Sequence, residues 1–380
     1  MLQFKDLSFW EKVSVTEGID FLVIGGGIVG IACAISLREK HPNARIVLLE
    51  RGYLPTGAST KNAGFACFGS VTELADDLNK MDPQTVWDTV DLRWRGLKRL
   101  QERFDPKVLD LKIRGSWDLL HNSHAGEKQT HSDQLAYFNN EIKRITGQDN
   151  CYSEDVNTIH KIGFQQINTA YFNRLEGELN TGNLLLQSNL LLAQNKITCL
   201  YGIEVKALET HQHGVTLETN FGELQSAKVA VTVNGFAKEL LKDERIQPAR
   251  AQVLVTSPIE GFELPGTFHY DKGYYYFRGI GNRILLGGGR NLDFSGETTT
   301  EFATTEQIQG ALHKLLNEVI IPGKPHKIDY NWSGIMGVGN EKKPLIERFS
   351  KHVGIGVRMG GMGVAIGSLV GEQLAELLDS

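Results

Sequence analysis

The sequence predicts an α/β protein, α+β overall, with a Rossmann-like first domain and a second domain built on an antiparallel sheet. Between residues 20 and 50 the run DFLVI, a glycine-rich helix start and the run ARIVLLE follow one another. Short apolar runs of this kind are typical of buried parallel strands. After Pro248 the runs QVLVT, GYYYFR and NRILLGG indicate an antiparallel sheet, and a strand, GGMG loop and helix end the chain. We therefore expect the chain to leave its first lobe and return to it.

The length of the chain favours two associated lobes, because a single hydrophobic core seldom keeps growing beyond about 250–300 residues. We expect the first domain to comprise residues 1–80, 170–245 and 335–380 of the 380. The second domain is expected to comprise residues 81–169 and 246–334. Both domains are then discontinuous in sequence.

Three further patterns fill in the predicted lobes. Apolar residues recur every three or four positions from Gln84 to Phe104, which indicates an amphipathic helix that caps the second lobe. Leu184 to Asn195 forms another predicted helix. The alternating runs IEVKALE, GVTLET and KVAVTV then indicate a strand meander that returns to the first lobe.

Composition excludes several classes of partner and location. With 40 basic and 45 acidic residues and a net charge of −5, no basic face is indicated for nucleic acid or an anionic membrane. The apolar stretch from Phe21 to Leu37 is too short, and too interrupted by glycine, to span a membrane. The N-terminus lacks a signal peptide and is expected to be a docking arm.

The cysteines are few and widely spaced along the chain. Their positions fit neither a metal-binding motif nor a disulfide framework, so we expect no metal site and a reducing, cytoplasmic location. The four are Cys33, Cys67, Cys151 and Cys199.

A dinucleotide site is predicted where the first strand meets the first helix. Gly25, Gly27 and Gly30 satisfy G-x-G-x-x-G, and the next strand ends in Glu50, twenty positions after Gly30. The glycines allow a tight turn, close approach of the backbone to a pyrophosphate, and contact between helix and strand. Unpaired amides at the helix start favour the anionic phosphates. An acid in the position of Glu50 is suited to the ribose hydroxyls and disfavours NADP, which leaves NAD and FAD.

Two further segments favour the larger of these cofactors. The stretch RGYLPTGASTKNAGFACFGS after Glu50 is rich in small residues and offers close backbone approach to a longer ligand. The terminal GGMG loop supplies a second positive helix end, which would stabilise the negative charge that a flavin gains on reduction. Each segment alone is also compatible with an ordinary loop or a glycine-capped helix.

Taken in order, the motifs resemble the D-amino-acid oxidase family, which includes glycine oxidase, sarcosine oxidase and related amine oxidoreductases. The resemblance runs nearly end to end and is carried by VIGGGIVG, GASTKNAG, VAVTVNGFAKEL, YYYFR, ILLGGGR, WSG…KKPLIE and VRMGGMGVAIG. It implies a Rossmann-like FAD-binding domain. It also implies hydride transfer to flavin N5 from the carbon next to an amine, giving an imine that water hydrolyses.

The glycine motif and the resemblance together imply a set of cofactor contacts. We expect FAD to be bound non-covalently, because the WSGIMGV segment has no cysteine where sarcosine-oxidase-like enzymes attach flavin. The expected contacts are Gly25, Gly27, Ile28, Val29, Gly30, Glu50, Arg51, Ala58, Ser59, Asn62, Ala63, Gly64, Phe65, Val205, Gly235, Gly360, Gly361, Met362, Gly363 and Val364.

Departures from the family pattern concern the substrate and the electron acceptor. Met336 stands where amino-acid-oxidising members place a carboxylate-binding arginine, and Gly361 where glycine-oxidase-like members place a second one. A simple α-amino acid is therefore less expected as the substrate than an amine, a longer amino compound, or an acid held by another cation. Leu285 replaces the oxygen-activating lysine of the sarcosine-oxidase branch, which leaves oxidase and dehydrogenase both open.

Candidate pocket residues come from the predicted second sheet. Arg278, like Arg290 and Arg358, is either a substitute for the missing anchor or a structural arginine. The Tyr-rich run GYYYFR offers an aromatic wall for an alkylamine through cation–π contact, unless its rings pack the core of the sheet. The resulting candidates are Tyr275, Arg278, Trp332 and Met336.

Two other functions remain open at this stage. A nicotinamide-dependent Rossmann dehydrogenase would share the glycine motif and Glu50. A non-catalytic flavin-binding subunit would explain the missing arginines and lysine. A small-molecule substrate is expected, and assembly into a homo-oligomer is left open.

Replacing Glu50 with Ala tests the predicted ribose contact. Loss of a charged hydrogen bond should weaken FAD binding by roughly 1.5–3 kcal/mol, or about 10- to 100-fold. Flavin fluorescence titration of the apoprotein measures this change. An unchanged dissociation constant would mean that the strand ending at Glu50 is misassigned.

Overall fold

The computed structural model describes residues 3–380 as eighteen strands and eleven α-helices, together with short 3₁₀ and π turns. The strands are β1 (Ile19–Ile24), β2 (Ile46–Glu50), β3 (Phe65–Ala66), β4 (Ser116–His121), β5 (Tyr152–Glu154), β6 (Ile167–Asn173), β7 (Gly177–Glu178), β8 (Thr198–Tyr201), β9 (Val205–His211), β10 (Gly214–Thr219), β11 (Gly222–Val231), β12 (Gln247–Thr256), β13 (Thr267–Tyr270), β14 (Tyr275–Ile280), β15 (Arg283–Gly288), β16 (Ile328–Val338), β17 (Leu345–Ser350) and β18 (Val353–Val357). The helices are α1 (Phe9–Glu11), α2 (Ile28–Lys40), α3 (Ala58–Lys61), α4 (Val71–Leu78), α5 (Pro83–Arg103), α6 (Lys128–Thr146), α7 (Val156–Ile162), α8 (Thr181–Gln194), α9 (Ala237–Leu241), α10 (Glu306–Leu315) and α11 (Gly363–Asp379).

The first sheet confirms the Rossmann-like lobe. Its strands run in the order β17-β18-β11-β1-β2-β8, and the pairs from β18 to β8 are parallel. The central strands β1 and β2 are almost wholly buried, as their apolar runs predict. The predicted meander is β9, β10 and the first half of β11, and it joins the same sheet through antiparallel pairs.

The second sheet is largely antiparallel, as predicted. Its order is β16-β12-β15-β14-β13-β4-β6-β5, and the pair β13–β4 is the parallel exception. One face, covered by α7 and α10, holds an apolar core that includes Phe268, Phe277, Leu286 and Ile308. The opposite face turns toward the first lobe. A two-stranded ribbon, β3 with β7, lies between the two sheets.

The observed sheets bear on the predicted domain boundaries. The boundary between residues 169 and 170 falls inside β6, and that between 334 and 335 falls inside β16, although both strands lie wholly in the second sheet. Local sequence carries no boundary signal there, because a strand that leads the chain toward the other lobe has the same alternating pattern as any other strand.

Helix α5, predicted to cap the second lobe, contacts both lobes. Trp87 packs edge-to-face on Phe138 of α6 at 5.9 Å between ring centroids. On the opposite side Gly96 lies against α11, where a Cβ atom would come within 2.2 Å of the Ala365 carbonyl oxygen. The helix therefore joins the lobes rather than covering the second one alone.

Within residues 3–380, none of the helices combines the length and the apolar character that a bilayer crossing requires. This agrees with the prediction that the stretch from Phe21 to Leu37 is not a membrane span. That stretch forms β1, the glycine turn and the start of α2, and its side chains are buried inside the first lobe.

Replacing Gly96 with Ala tests the close approach of α5 to α11. The added methyl group must separate the helices, so the free energy of unfolding should fall by about 1–3 kcal/mol. Gly310 in α10 is the matched control, because a Cβ atom there meets nothing within 4 Å. Gly310→Ala should raise stability by up to about 1 kcal/mol through helix propensity. Chemical denaturation measures both changes in unfolding free energy. Equal changes for the two substitutions would contradict the close approach of α5 to α11 at Gly96.

Candidate functional site

The predicted pyrophosphate site is a turn that only glycine can form. Gly25 has φ +109°, and a Cβ atom at Gly30 would lie 1.9 Å from the Gly25 carbonyl oxygen. Helix α2 then begins at Ile28, directly after Gly27, which has no side chain with which to cap the helix. The Ile28 amide donates to the Ser59 hydroxyl at 2.9 Å, which brings the predicted residue Ser59 to the same helix end. Close backbone approach and a helix N-terminus together suit an anionic diphosphate.

Glu50 lies where the sequence places it, at the end of β2 beside the glycine turn. One carboxylate oxygen accepts the Gly26 amide at 3.0 Å and the other accepts the Gly52 amide at 2.9 Å. The Ile203 amide donates to the Glu50 carbonyl, so the chain just before Val205 passes the same strand end. Glu50 therefore helps to shape the turn as well as offering acceptors to a ribose.

A second helix N-terminus meets the first one. Helix α11 begins at Gly363 without a side-chain cap, after Gly360 and Gly361, whose φ angles are +58° and +85°. Val364 in its first turn and Ile28 at the start of α2 belong to one apolar cluster. The two positive helix ends thus lie together at the carboxyl ends of the parallel strands of the first sheet. A ligand with both a diphosphate and a distant electron-accepting ring requires such an arrangement.

The loop before α11 is held by contacts that partly escaped sequence analysis. The Asn234 side-chain oxygen accepts the amides of Arg358 at 3.1 Å and Met359 at 3.3 Å. Gly235 fits tightly beside β16, since a Cβ atom there would lie 2.4 Å from the Met336 carbonyl oxygen. Asn234 is the residue that sequence reasoning missed, although it lies inside the quoted VTVNGF segment.

Residues 58–66, the cofactor segment, connect the first lobe to the second sheet. Asn62 uses its amide locally: its oxygen accepts the Gly64 amide at 2.8 Å, and its nitrogen donates to the Ser59 carbonyl at 2.8 Å. Gly64 has φ +73° and approaches the Leu179 carbonyl oxygen. Asn62 therefore sets the path of the cofactor segment, and the Gly64 carbonyl then accepts the Leu179 amide at 2.8 Å.

Arg51 has a partner within the protein. Its guanidinium carbon lies 3.8 Å from the centre of the Phe236 ring, a cation–π contact beside the loop that carries Gly235. The side chain thus links the end of β2 to the neighbouring cofactor loop.

The face of the second sheet that turns toward the cofactor segment is called the front face. Strand pairing places its members in register across β13, β14, β15, β12 and β16. Ala63 and Phe65 pack on this face, in one apolar cluster with several of its residues. The front face comprises Val253, His269, Tyr276, Arg278, Leu285, Trp332 and Met336.

Tyr275, predicted as a pocket residue, is on the opposite side of the sheet. It is 8% exposed and packs in the core beneath α10, so the prediction for Tyr275 is wrong. Alternation along β14 instead places Tyr276 on the front face. Phe65 lies edge-to-face against Tyr276 at 5.6 Å and against His269 at 5.4 Å between ring centroids. Burial raises the pKa of Tyr276 to about 12, so this phenol stays neutral.

Trp332 and Met336, the other predicted pocket residues on β16, do reach the front face. The Trp332 indole nitrogen donates to the Lys61 carbonyl at 2.9 Å. Met336 lies beside the α11 loop, where a Cβ atom on Gly361 would be 3.3 Å from the methionine sulfur. Both residues border the space between the cofactor segment and the sheet.

Arg278 is buried on the front face and already bound by the protein. It donates to the Leu179 carbonyl at 3.0 Å and lies 3.4 Å from the Glu178 carboxylate. Burial lowers its pKa, while Glu178 acts in the opposite direction. The arginine therefore ties β14 to β7. Arg358 similarly donates to the Lys343 carbonyl, and Arg290 stacks on Phe294, so all three arginines have structural partners.

A cavity of about 370 Å³ opens between the lobes beside this face. Its lining includes Asn62 and Thr181 from one side and Arg278, Leu285 and Trp332 from the other. Charged residues of both signs, among them Lys112, Arg114 and Glu178, also line it. The cavity thus leads from solvent to the boundary between the cofactor segment and the front face.

Buried ionisable groups lie next to Phe65. Cys67, Glu176 and His269 offer ligand atoms that lie within 4.8 Å of one another. Burial raises the pKa of Glu176 to about 7 and lowers that of His269 to about 4. Sequence analysis missed Glu176 and His269, because positions 67, 176 and 269 become neighbours only when the ribbon docks on the second sheet.

Comparisons with known proteins agree with this architecture. The profile of a family described as "DAO: FAD dependent oxidoreductase" matches residues 20–377. The probable oxidoreductase OrdL of Haemophilus influenzae is 21% identical over 377 residues, which cover 95% of this chain and 83% of that protein.

Solved structures of low sequence identity share the fold. L-proline dehydrogenase from P. horikoshii has a TM-score of 0.74 at 17% identity, covering 96% of this chain and 94% of its own. Glycine oxidase from Geobacillus kaustophilus has a TM-score of 0.75 at 17% identity, covering 95% and 94%. The first lobe, the second sheet and their discontinuous order are therefore common to these proteins.

Asp118 on β4 offers a pH test of the buried region. It accepts the Thr72 amide at 2.7 Å, and burial raises its pKa from 3.8 to about 6. The folded state thus binds this proton more tightly, which adds stability below pH 3.8 that is lost as the pH rises through 6. Between about pH 4 and pH 7, wild type should lose roughly 2 kcal/mol relative to Asp118→Asn. Chemical denaturation at both pH values measures the difference in unfolding free energy between wild type and variant. If that difference is the same at pH 4 and pH 7, Asp118 does not titrate as described.

Proposed function

This chain belongs to the DAO family of FAD-dependent oxidoreductases, and from that premise we propose that it oxidises the C–N bond of a small amine or amino-acid-like substrate. The observation that carries the proposal is the position of the front face. Phe65 of the cofactor segment packs with Tyr276 and Trp332 of the front face in an uncharged aromatic surface, and Trp332 also lines the cavity. Such a surface suits an alkylamine more than a free carboxylate.

The residues of the first lobe fit FAD. The Val29 amide would hold the pyrophosphate, and the Ile28 amide would join it by exchanging the Ser59 hydroxyl, its partner in this structure, for a phosphate oxygen. Glu50 would accept the ribose hydroxyls. The loop from Gly360 to Gly363 would place the start of α11 beside the flavin ring. When bound, FAD accepts a hydride from the carbon next to the substrate nitrogen, and the resulting imine is hydrolysed by water.

We propose that the cofactor is held without a covalent bond. Strand β16 has no cysteine, and Cys33 and Cys151 are buried in the cores of their own lobes. Cys67 follows the cofactor segment, but its sulfur lies near the Gly177 carbonyl and the Thr267 hydroxyl. All four cysteines are unpaired thiols, which supports a reducing cytoplasmic location.

The substrate side of the site supports an amine or a longer amino compound. Met336 and Gly361 are apolar where related enzymes bind a carboxylate, and Arg278 is engaged by Leu179 and Glu178. An amine that binds as the cation is held by cation–π contact and must release its proton to solvent before hydride transfer, whereas an amine that binds neutral requires no protein base. The exposed side chains of Lys112 and Arg114, which line the cavity, would accommodate a polar group at the far end of a longer substrate.

The reaction is tested by adding amines and amino acids to the purified yellow protein under anaerobic conditions. A substrate should bleach the flavin absorbance, and oxygen or an artificial dye should restore it. A colourless protein that cannot be reconstituted with FAD would contradict the proposal, and NAD binding would instead favour a nicotinamide-dependent dehydrogenase. Flavin that no amine or amino acid reduces would favour the non-catalytic subunit.

Tyr276 and Tyr275 form a matched pair for the substrate surface. Tyr276→Leu removes a ring from the front face and should lower kcat/KM for an amine by about 3- to 10-fold, mainly through KM. Tyr275→Leu removes a ring from the opposite core and should reduce stability with little change in kcat/KM. Steady-state kinetics with thermal denaturation separates the two effects. A larger kinetic effect at Tyr275 would reverse the assignment of the sheet faces.

A further inference from the structure

Three side chains of different donor type meet behind Phe65, although they are far apart in sequence. Cys67 follows β3, Glu176 lies between β6 and β7, and His269 is on the front face of β13. Each can offer one ligand atom, and the three atoms lie within 4.8 Å of one another. Cys67 is 2% exposed and Glu176 is fully buried. The group, called the Cys–Glu–His cluster, thus joins the ribbon to the second sheet.

The hydrogen bonds of the cluster leave lone pairs without partners. One Glu176 oxygen accepts the amides of Phe68 at 2.7 Å and Gly69 at 2.8 Å, but the other is buried and accepts nothing. His269 Nε2 is likewise buried without a partner. A buried polar atom without a partner lowers the stability of the folded state. Two such atoms in one cluster indicate that something else satisfies them.

Protein cations close to the cluster are already engaged. Arg93 pairs with Glu73 at 3.2 Å and donates to the Phe68 carbonyl at 3.0 Å. Lys342 pairs with Glu73 at 3.1 Å and with Asp77 at 2.7 Å. Neither is bonded to the free oxygen of Glu176. Within the cluster the Cys67 thiol is the donor that faces Glu176, and a metal ion bound by both side chains would take the place of the thiol proton.

The donor set indicates which partner fits. A thiolate, an imidazole nitrogen and a carboxylate oxygen are the ligands that zinc prefers, whereas magnesium and calcium prefer oxygen alone. A thiolate and a carboxylate also balance the two positive charges of the ion. The separation of the ligand atoms leaves room for one small ion rather than for an organic group.

We propose that Cys67, Glu176 and His269 bind one zinc ion, with a water molecule or the Thr267 hydroxyl as the fourth ligand. The Thr267 oxygen lies 3.7 Å from the Cys67 sulfur. The site is structural, because the ion ties the chain after β3 to β13 behind Phe65. It thereby holds the cofactor segment against the second sheet, and it does not depend on which substrate the enzyme oxidises.

The test uses the purified flavoprotein and the variants Cys67→Ser and His269→Ala. Cys151→Ser is the matched control, because Cys151 is also a buried thiol of the same region but bonds to Asn173 at 3.0 Å outside the cluster. After dialysis against a weak chelator, elemental analysis should find about one zinc per chain in wild type and control. Below about one tenth should remain in the two cluster variants.

Cobalt substitution provides a second measurement that does not require a variant to fold. Cobalt added to metal-depleted wild type should give tetrahedral absorption bands at wavelengths longer than those of the flavin. Absence of zinc and of these bands in wild type would overturn the proposal. Equal zinc in Cys67→Ser and Cys151→Ser would also overturn it, since the ion would then be adventitious. Neither readout involves turnover, so failure of the proposed function would leave this test unaffected.

Discussion

The close packing of α2 on α11 is the contact on which the rest of the site depends. A Cβ atom on Gly371 would lie 2.5 Å from both the Ala32 methyl and the Val29 carbonyl oxygen, and one on Gly367 would lie 2.8 Å from Ile28. Any larger side chain would separate the two helices. Because glycine occupies both positions, two helix N-termini that are more than 330 residues apart in sequence open at one sheet edge. A single extended dinucleotide can then meet both positive ends.

The second constraint is the interface between the two lobes. The cofactor segment packs its side chains, Phe65 above all, onto the front face of the second sheet. Around it the chain buries charges in pairs. Burial alone would raise the pKa of Glu73, but Arg93 and Lys342 together hold it at about 2. The interface between the lobes is therefore held by specific polar contacts as well as by apolar packing. Both suit a region that must position a reactive ring.

Local patterns predicted the first lobe well. The apolar runs of β1 and β2, the glycine spacing and the position of Glu50 are all short-range features, and the structure places them as expected. Local patterns did not predict which face of β14 lies toward the cofactor segment. Alternation shows that Tyr275 and Tyr276 point in opposite directions, but both faces of this sheet are covered, so the pattern does not reveal which tyrosine meets the cofactor segment. The Cys–Glu–His cluster depends on three distant segments and has no local signature.

Binding of FAD to the apoprotein, with ADP as competitor, tests most directly whether one dinucleotide uses both helix ends. The account predicts one FAD per chain, displaced by ADP through the α2 end, and much weaker binding of FMN, which lacks the adenosine diphosphate half. Tight binding of FMN that ADP does not oppose would contradict it, and so would a chain that binds NAD but no flavin.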